Sequence, residues 1–241
     1  MTDLLSAGQN EQPRLITVAD LATLPWPVQR WLKNSNVLGK AYPVTVRLKQ
    51  QGEFRLAENR GWMPFDAEQY FTTNPPGFVW IASFKMAWLL SISGRDRFQD
   101  GIGDFDMRVL SLIPVAKMRG GGLNQGALLR YLGEIVWFPA AALSSLIKWE
   151  TEDSTSARAT MSFQRVTASA TFTFDVQGRV TGIVAQRYND ARGKLETWSI
   201  PIQAYGEFQG IDVPMGGEGV WNYGSSDFSY IRWQITEIEY N

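Results

Sequence analysis

The 241-residue sequence contains no histidine and no cysteine. These two absences exclude Ser-His-Asp and Cys-His catalytic groups, imidazole acid–base chemistry, disulfides and zinc sites built from Cys and His. An excess of one charge is also lacking, because 23 basic residues stand against 24 acidic ones, for a formal net charge of −1. Nucleic-acid binding surfaces need an excess of Lys and Arg, so we expect no nucleic-acid partner. The groups left for chemistry are carboxylates, hydroxyls, lysines and arginines.

Long apolar runs are missing as well. The longest weakly charged stretches, 69–84 and 135–147, contain proline and are shorter than the roughly 18 apolar residues of a transmembrane helix. The segment 1–14 has neither the basic start nor the apolar core of a secretory signal. We therefore expect a cytoplasmic protein with no transmembrane segment.

Strand patterns dominate the rest of the chain. Apolar and polar residues alternate along 44–56, which is typical of an antiparallel strand with one buried face. The short turns between such segments imply antiparallel meanders, because parallel crossovers need a dozen or more residues. The same reasoning predicts further strands near 63–71, 77–86, 90–99, 104–113, 157–164, 167–175, 179–189, 195–206, 217–223 and 228–240.

Two segments have the spacing of helices, 24–35 and 124–147. In the second, Asn124 suits an N-cap and Pro139 predicts a kink. The predicted fold is mainly β (α+β): one large curved antiparallel sheet, a half-barrel of about 10–11 strands, with both helices packed on its concave side. We expect a single domain over 1–241, in which 1–16 forms a flexible N-terminal segment.

The first candidate site is the pair Arg130 and Glu134, four residues apart on the apolar helix, where they can form an ion pair. Two interpretations are open. The pair clamps the helix to the sheet, or Glu134 is a carboxylate with a raised pKa at the bottom of an apolar cavity.

The second candidate is the segment Gly94-Arg95-Asp96-Arg97, where the two arginines point to one side of a strand and Asp96 to the other. Two guanidinium groups on one face can bind a carboxylate or phosphate. They can equally pair with an acid on the next strand, such as Asp104 or Asp106.

A third cluster, Asp100, Asp104 and Asp106, does not have the spacing of a calcium-binding loop. A glycine turn followed by an exposed strand face explains these acids better. The glycines at 120–122 lack the context of a phosphate-binding loop. We predict no metal and no cofactor.

The sequence has 10 tryptophans. They either fill the core or line a cavity for an apolar ligand. Because a widely curved sheet encloses more space than one kinked helix fills, we expect the core to be hollow. The tryptophans concerned are Trp62, Trp80, Trp88, Trp137, Trp149, Trp198, Trp221 and Trp233.

Several blocks together resemble a family of uncharacterised bacterial proteins, a domain of unknown function, over about 21–241. This resemblance implies an antiparallel half-barrel similar to that of periplasmic lipoprotein carriers (LolA, LolB, LppX), which hold acyl chains between a curved sheet and a helical lid. It implies no particular activity. The blocks are GWMPFDAEQY (61–70), NPPGFVW (74–80), GRDRF (94–98), LLRYLGEIVWFP (128–139), WET (149–151), SARAT (156–160) and TEIEYN (236–241).

We therefore expect a binding protein, a carrier or sensor, for a hydrophobic or amphiphilic small molecule such as a lipid, rather than an enzyme. Arg130 and Glu134 also belong to the expected binding site. The sequence does not determine the oligomeric state and is compatible with a monomer. Arg187 is included because it follows apolar residues on one strand face. The tail would contact Trp80, Phe84, Trp88 and Trp137, and the acidic head Arg95, Arg97 or Arg187.

Two alternatives remain. One is an enzyme that uses carboxylates alone on an apolar substrate, with Glu134 as general base and Asp96 or Asp66 as its partner. The other is a non-catalytic structural or interaction protein, in which the strand ending at Asn241 lies at a sheet edge and accepts a strand from a partner.

Overall fold

A computed structural model describes residues 14–85, 91–109 and 113–241. The described strands form one antiparallel sheet, which confirms the mainly-β fold and exceeds the expected strand count by two or three. The strands are β1 (Thr45–Phe54), β2 (Met63–Thr73), β3 (Pro76–Lys85), β4 (Ser91–Gln99), β5 (Ile102–Val109), β6 (Ile113–Arg119), β7 (Ile147–Thr151), β8 (Ser156–Phe163), β9 (Val166–Phe174), β10 (Val180–Asn189), β11 (Lys194–Phe208), β12 (Ile211–Asn222) and β13 (Asp227–Tyr240).

The strand order is β6-β5-β4-β3-β2-β1-β13-β12-β11-β10-β9-β8-β7. Each half of the sheet is a meander, and the pairing of β1 with β13 joins the two halves. The last strand is therefore central, and the prediction that the strand ending at Asn241 lies at an edge is wrong. The edge strands are β6 and β7.

The sheet curves around a helix. The second helix of the structure, α2 (Gly122–Glu134), contacts both β5 and β9, which are nine positions apart in the strand order. In a flat sheet, nine spacings of about 4.8 Å would separate these strands by about 43 Å. The 13 residues of α2 have a length of only about 20 Å, at about 1.5 Å per residue. The sheet must therefore bend, and its concave face is the one that covers α2.

Side chains alternate between the two faces as the sequence predicts. In β3, Phe78, Trp80, Ala82 and Phe84 are buried on the concave side, while Ile81 is exposed on the convex side. The convex face carries ion pairs such as that of Arg47 with the carboxylates of Glu68, Glu237 and Glu239. Met86, assigned to this strand from the sequence, lies outside the described residues.

The first helix, α1 (Trp26–Asn34), agrees with the prediction over 24–35 and packs Trp31 against Phe172 and Phe174. The helix predicted over 124–147 is shorter, because α2 ends at Glu134. Two 3₁₀ turns follow, Ile135–Trp137 and Pro139–Leu143. Phe138, the residue before Pro139, has φ −139° and ψ 72°, because a proline ring disfavours the helical conformation of the residue before it, and the apolar pattern therefore does not continue as one α-helix.

Some further details differ from the sequence prediction. The short strands β6 and β7 were not expected. The N-cap of α2 is Gly121 rather than Asn124, whose side-chain oxygen accepts a hydrogen bond of 2.9 Å from the Gly103 amide. Leu15 forms a β-bridge with Ala41, and residues 1–13 of the segment expected to be flexible, 1–16, lie outside the described part. In the described ranges, no helix has the length and apolar character needed to cross a membrane.

Close packing at Gly103 sets the position of α2 against β5. A Cβ atom at Gly103 would lie 2.8 Å from the backbone oxygen of Leu123, in the first turn of α2. Gly103→Ala should therefore push the helix away and lower the free energy of unfolding by about 1–3 kcal/mol, the usual cost of overpacking. Urea unfolding measures this change.

Gly61→Ala is the matched control, because no atom lies within 4 Å of a Cβ at this position. This control should stay within about 0.5 kcal/mol of the original protein. Equal effects of the two substitutions would show that contact with α2 is not what requires glycine at position 103.

Candidate functional site

A cavity of about 280 Å³ lies between α2 and the concave face of the sheet. Its floor is formed by α2 and the turn that follows, through Arg130, Gly133, Glu134 and Val136. Gly133 lets the helix lie close to β11, since a Cβ there would be 3.2 Å from Cδ1 of Ile200. The floor is thus set by the distance at which α2 packs on the sheet.

The rim of the cavity lies where strands end. Phe54 is the last residue of β1, and Tyr188 and Trp221 are the penultimate residues of β10 and β12. The antiparallel pairing brings these ends to the same side of the sheet. Tyr188 and Asp190 are exposed lining residues, so the cavity is open to solvent beside them.

Aromatic side chains form the wall between floor and rim. The rings of Trp137 and Trp233 meet nearly perpendicularly, with centroids 5.2 Å apart. Trp198 donates a hydrogen bond of 3.1 Å from Nε1 to the hydroxyl of Tyr230, whose ring also contacts Trp221. These contacts give the wall an apolar surface of fixed shape, as the tryptophan content led us to expect.

A directed chain of hydrogen bonds reaches the floor from the sheet. Trp80 Nε1 donates to Gln50 Oε1 at 3.1 Å, and Gln50 Nε2 donates to Gln69 Oε1 at 3.3 Å. Gln69 Nε2 then donates to Glu134 Oε2 at 2.7 Å. Because indole can only donate, it sets the orientation of both amides, and the chain ends on Glu134 as an acceptor.

Arg130 occupies the other side of the same carboxylate. Its guanidinium donates to Glu134 Oε1 at 2.7 Å and to Asp96 Oδ2 at 2.6 Å. It also lies over the rings of Phe78 and Trp80. The predicted ion pair of Arg130 and Glu134 is therefore confirmed, and Asp96 of β4 makes it a bridge between helix and sheet.

Burial shifts the pKa values of Glu134 and Arg130. Burial raises the pKa of Glu134 above its ordinary value of 4.5, although Arg130 and the hydrogen bond from Gln69 act in the opposite direction. For Arg130 burial alone would lower the pKa, but the adjacent carboxylates outweigh it and raise the pKa. The guanidinium is therefore permanently charged, and burial is the largest cause of the raised pKa of Glu134.

Arg187 provides a second cation in the cavity, near the rim. Its guanidinium lies over Trp198 at 4.9 Å and Trp221 at 5.8 Å from the ring centroids. Within the described part of the chain it makes no hydrogen bond or ion pair. The residue opposite it on β11, Glu196, instead binds Arg192 at 2.8 Å and Lys194 at 3.2 Å.

The structure brings five of the nine predicted site residues together. Trp80, Arg130, Glu134, Trp137 and Arg187 all line the cavity. The sixth, Phe84, is buried beside them and packs on the ring of Trp80 without lining the cavity. Trp88 lies outside the described residues.

Arg95 and Arg97 are not part of this group. They alternate with Asp96 along β4, and since Asp96 lines the cavity, both arginines are on the convex face. Arg95 binds Asp104 at 2.9 Å, which is the cross-strand pairing that the sequence left as an alternative. An acidic ligand in the cavity would therefore meet Arg187 and not these two residues.

Other acids considered from the sequence also lie on the convex face. Asp106 binds Arg108 at 2.8 Å, and this hydrogen-bonded pairing lowers the pKa of Asp106. Asp66 binds Lys85 at 2.9 Å in an exposed pair and does not line the cavity that contains Glu134. No group of three or more possible metal ligands occurs among the residues that the structure describes.

Sequence analysis missed Gln50 and Gln69. Both fall at positions where the alternation of their strands requires an apolar residue, after Leu48 in β1 and between Ala67 and Phe71 in β2. A polar side chain at such a position is a detectable signal, because a buried amide needs hydrogen-bond partners. Two of them on paired strands predict a buried polar chain.

The model of the family of unknown function DUF6544 matches residues 14–233. No curated protein matches the chain. It is similar in structure to a DUF1329 family protein from Desulfovibrio piger (8% identity, TM-score 0.47, 92% of each chain covered). It is also similar to a beta-barrel-like DUF1849 protein from Brucella abortus (8% identity, TM-score 0.28), with 83% of this chain and 98% of that chain covered.

The raised pKa of Glu134 predicts how stability depends on pH. A raised folded-state pKa contributes stability that is fully present below 4.5 and is lost as the pH rises through the folded pKa. The stability of the original protein relative to Glu134→Gln should therefore fall as the pH rises above 4.5. One proton limits the slope to about 1.4 kcal/mol per pH unit. Urea unfolding at a series of pH values measures it.

Glu150→Gln is the control of opposite sign. Glu150 is exposed, and its hydrogen bond with Lys148 lowers its pKa, so its contribution is present at high pH and lost as the pH falls. The two difference curves should slope in opposite directions. A difference between the original protein and Glu134→Gln that is independent of pH would contradict the raised pKa.

Proposed function

This chain belongs to the DUF6544 family, and for it we propose a role in binding a small amphiphilic molecule, as a carrier or sensor. The observation that carries this proposal is a cavity with aromatic walls whose rim holds a guanidinium without a carboxylate partner in the described residues. A concave, mostly apolar space with a few polar groups is the usual form of a ligand site.

Arg187 indicates which end of the ligand lies at the rim. Its guanidinium has unused donors, and Arg binds carboxylates and phosphates through two parallel hydrogen bonds. The neighbouring acid Glu196 does not compete, because Arg192 and Lys194 hold it. We assign the anionic head of the ligand to Arg187 and its apolar body to the space above Val136 and beside Trp137 and Trp233.

The contacts of Glu134 favour binding over catalysis. A general base must lie within hydrogen-bond reach of the proton that it removes. Each oxygen of Glu134 accepts a hydrogen bond from within the protein, from Arg130 or from Gln69, which holds the carboxyl group against the helix and the sheet. Asp96 is tied to the same guanidinium. These bonds suit a clamp between helix and sheet better than the two independent carboxylates of an acid–base enzyme.

Octanoate and 1-octanol test the proposal as probes, because they share an apolar chain and differ in charge. Octanoate should bind with a dissociation constant measurable by isothermal titration calorimetry. Arg187→Gln should weaken octanoate by about 10–100-fold, since a hydrogen bond to a charged group contributes about 1.5–3 kcal/mol. Binding of 1-octanol should change little.

Arg95→Gln is the matched control, since it removes the same charge from the convex face. Its octanoate affinity should equal that of the original protein. Failure of the original protein to bind octanoate would contradict the proposed function. Equal weakening by the two substitutions would contradict the assignment of the head to Arg187.

A further inference from the structure

We propose that the cavity selects organic acids of about ten non-hydrogen atoms, such as a monocarboxylate of about eight carbons, and excludes most of the chain of a membrane lipid. This inference rests on the proposed function and narrows its ligand class. Volume, depth and the chemistry of the floor support it independently.

The volume sets the first limit. At about 30 Å³ for each non-hydrogen atom, the share that a water molecule has in the liquid, a cavity of about 280 Å³ holds nine or ten atoms. Pockets for drug-sized ligands begin at about 300 Å³, so this cavity is small. Octanoate has ten non-hydrogen atoms, whereas a lipid with two long chains has several times this number.

The depth sets a similar limit. Phe54 at the rim and Gln50 near the floor both line the cavity from β1, four residues apart. At about 3.3 Å per residue this distance is about 13 Å. An extended chain advances about 1.2 Å per bond, as the three backbone bonds of a residue cover about 3.5 Å. The depth therefore accommodates about ten or eleven bonds, including the head at Arg187.

An apolar chain longer than this depth would meet charged groups at the floor of the cavity. Behind the aromatic walls lie the carboxylates of Asp96 and Glu134 on the guanidinium of Arg130. Asp96 Oδ1 is buried and has no hydrogen-bond partner in the described residues. A methyl group forced against these charges would gain no apolar contact and would keep water from a group that needs a partner.

The walls prevent a longer chain from turning aside. Trp137 and Trp233 are in perpendicular contact, and Trp198 lies close to Gly133, where a Cβ would be 3.8 Å from its ring. Among the floor residues, Val136 is a buried apolar residue that faces the cavity. Its two methyl groups determine where the chain ends.

The size limit can be tested with linear carboxylates of 6, 8, 10, 12 and 16 carbons, each below its aggregation concentration. Isothermal titration calorimetry gives the dissociation constant of each. The dissociation constant should fall about fourfold per methylene up to about eight carbons, as each becomes buried, and then stop falling. Val136→Ala removes two carbon atoms and should move this limit to about ten carbons.

Val28→Ala is the matched control, because Val28 is fully buried in α1 and does not line the cavity. It should leave the limit at eight carbons. Affinity that depends on Arg187 but continues to rise to 16 carbons would overturn the size limit and leave the proposed function intact. A limit that does not move in Val136→Ala would overturn the position of the floor. If no carboxylate binds at all, the proposed function itself fails.

Discussion

The guanidinium of Arg130 is the interaction on which the site depends. It is half-buried between α2 and the sheet, where Glu134 of its own helix and Asp96 of β4 pair with it. Removing one partner would leave a charge without its counterion in a place where water reaches it only partly. The hydrogen-bond chain from Trp80 through Gln50 and Gln69 ends on the same carboxylate. The helix is thereby held at one position across the curved sheet.

The cavity follows from this arrangement. Gly103, Gly126 and Gly133 let α2 and its neighbours approach closely, with Arg187 over Gly126 and Trp198 beside Gly133. Tyr131 adds a hydrogen bond of 3.0 Å to the backbone of β2. Because polar contacts fix the helix on this side, the sheet beyond it cannot collapse onto the helix. The space left is lined by large rings that pack on one another.

Much of the fold could be predicted from the sequence, because strands with one buried face alternate visibly and α1 has a clear apolar face. The length of α2 could not, since the apolar residues after Glu134 continue the helical spacing while forming 3₁₀ turns. The central place of β13 also escaped prediction, because pairing of β1 with β13 is a long-range contact. In the site, the ion pair of Arg130 and Glu134 was predictable from their spacing. The sequence also shows that Arg95 and Asp96 point to opposite faces of β4, but it does not show which of these faces is the concave one.

The proposed binding of an anionic ligand at Arg187 accounts for these observations together. A crystal structure of the protein grown with octanoate is the most direct measurement. We expect electron density for the carboxylate against the Arg187 guanidinium, with the chain running beside Trp137 and Trp233 toward Val136. Octanoate bound only on the convex face, or a cavity filled by the protein's own side chains, would contradict this.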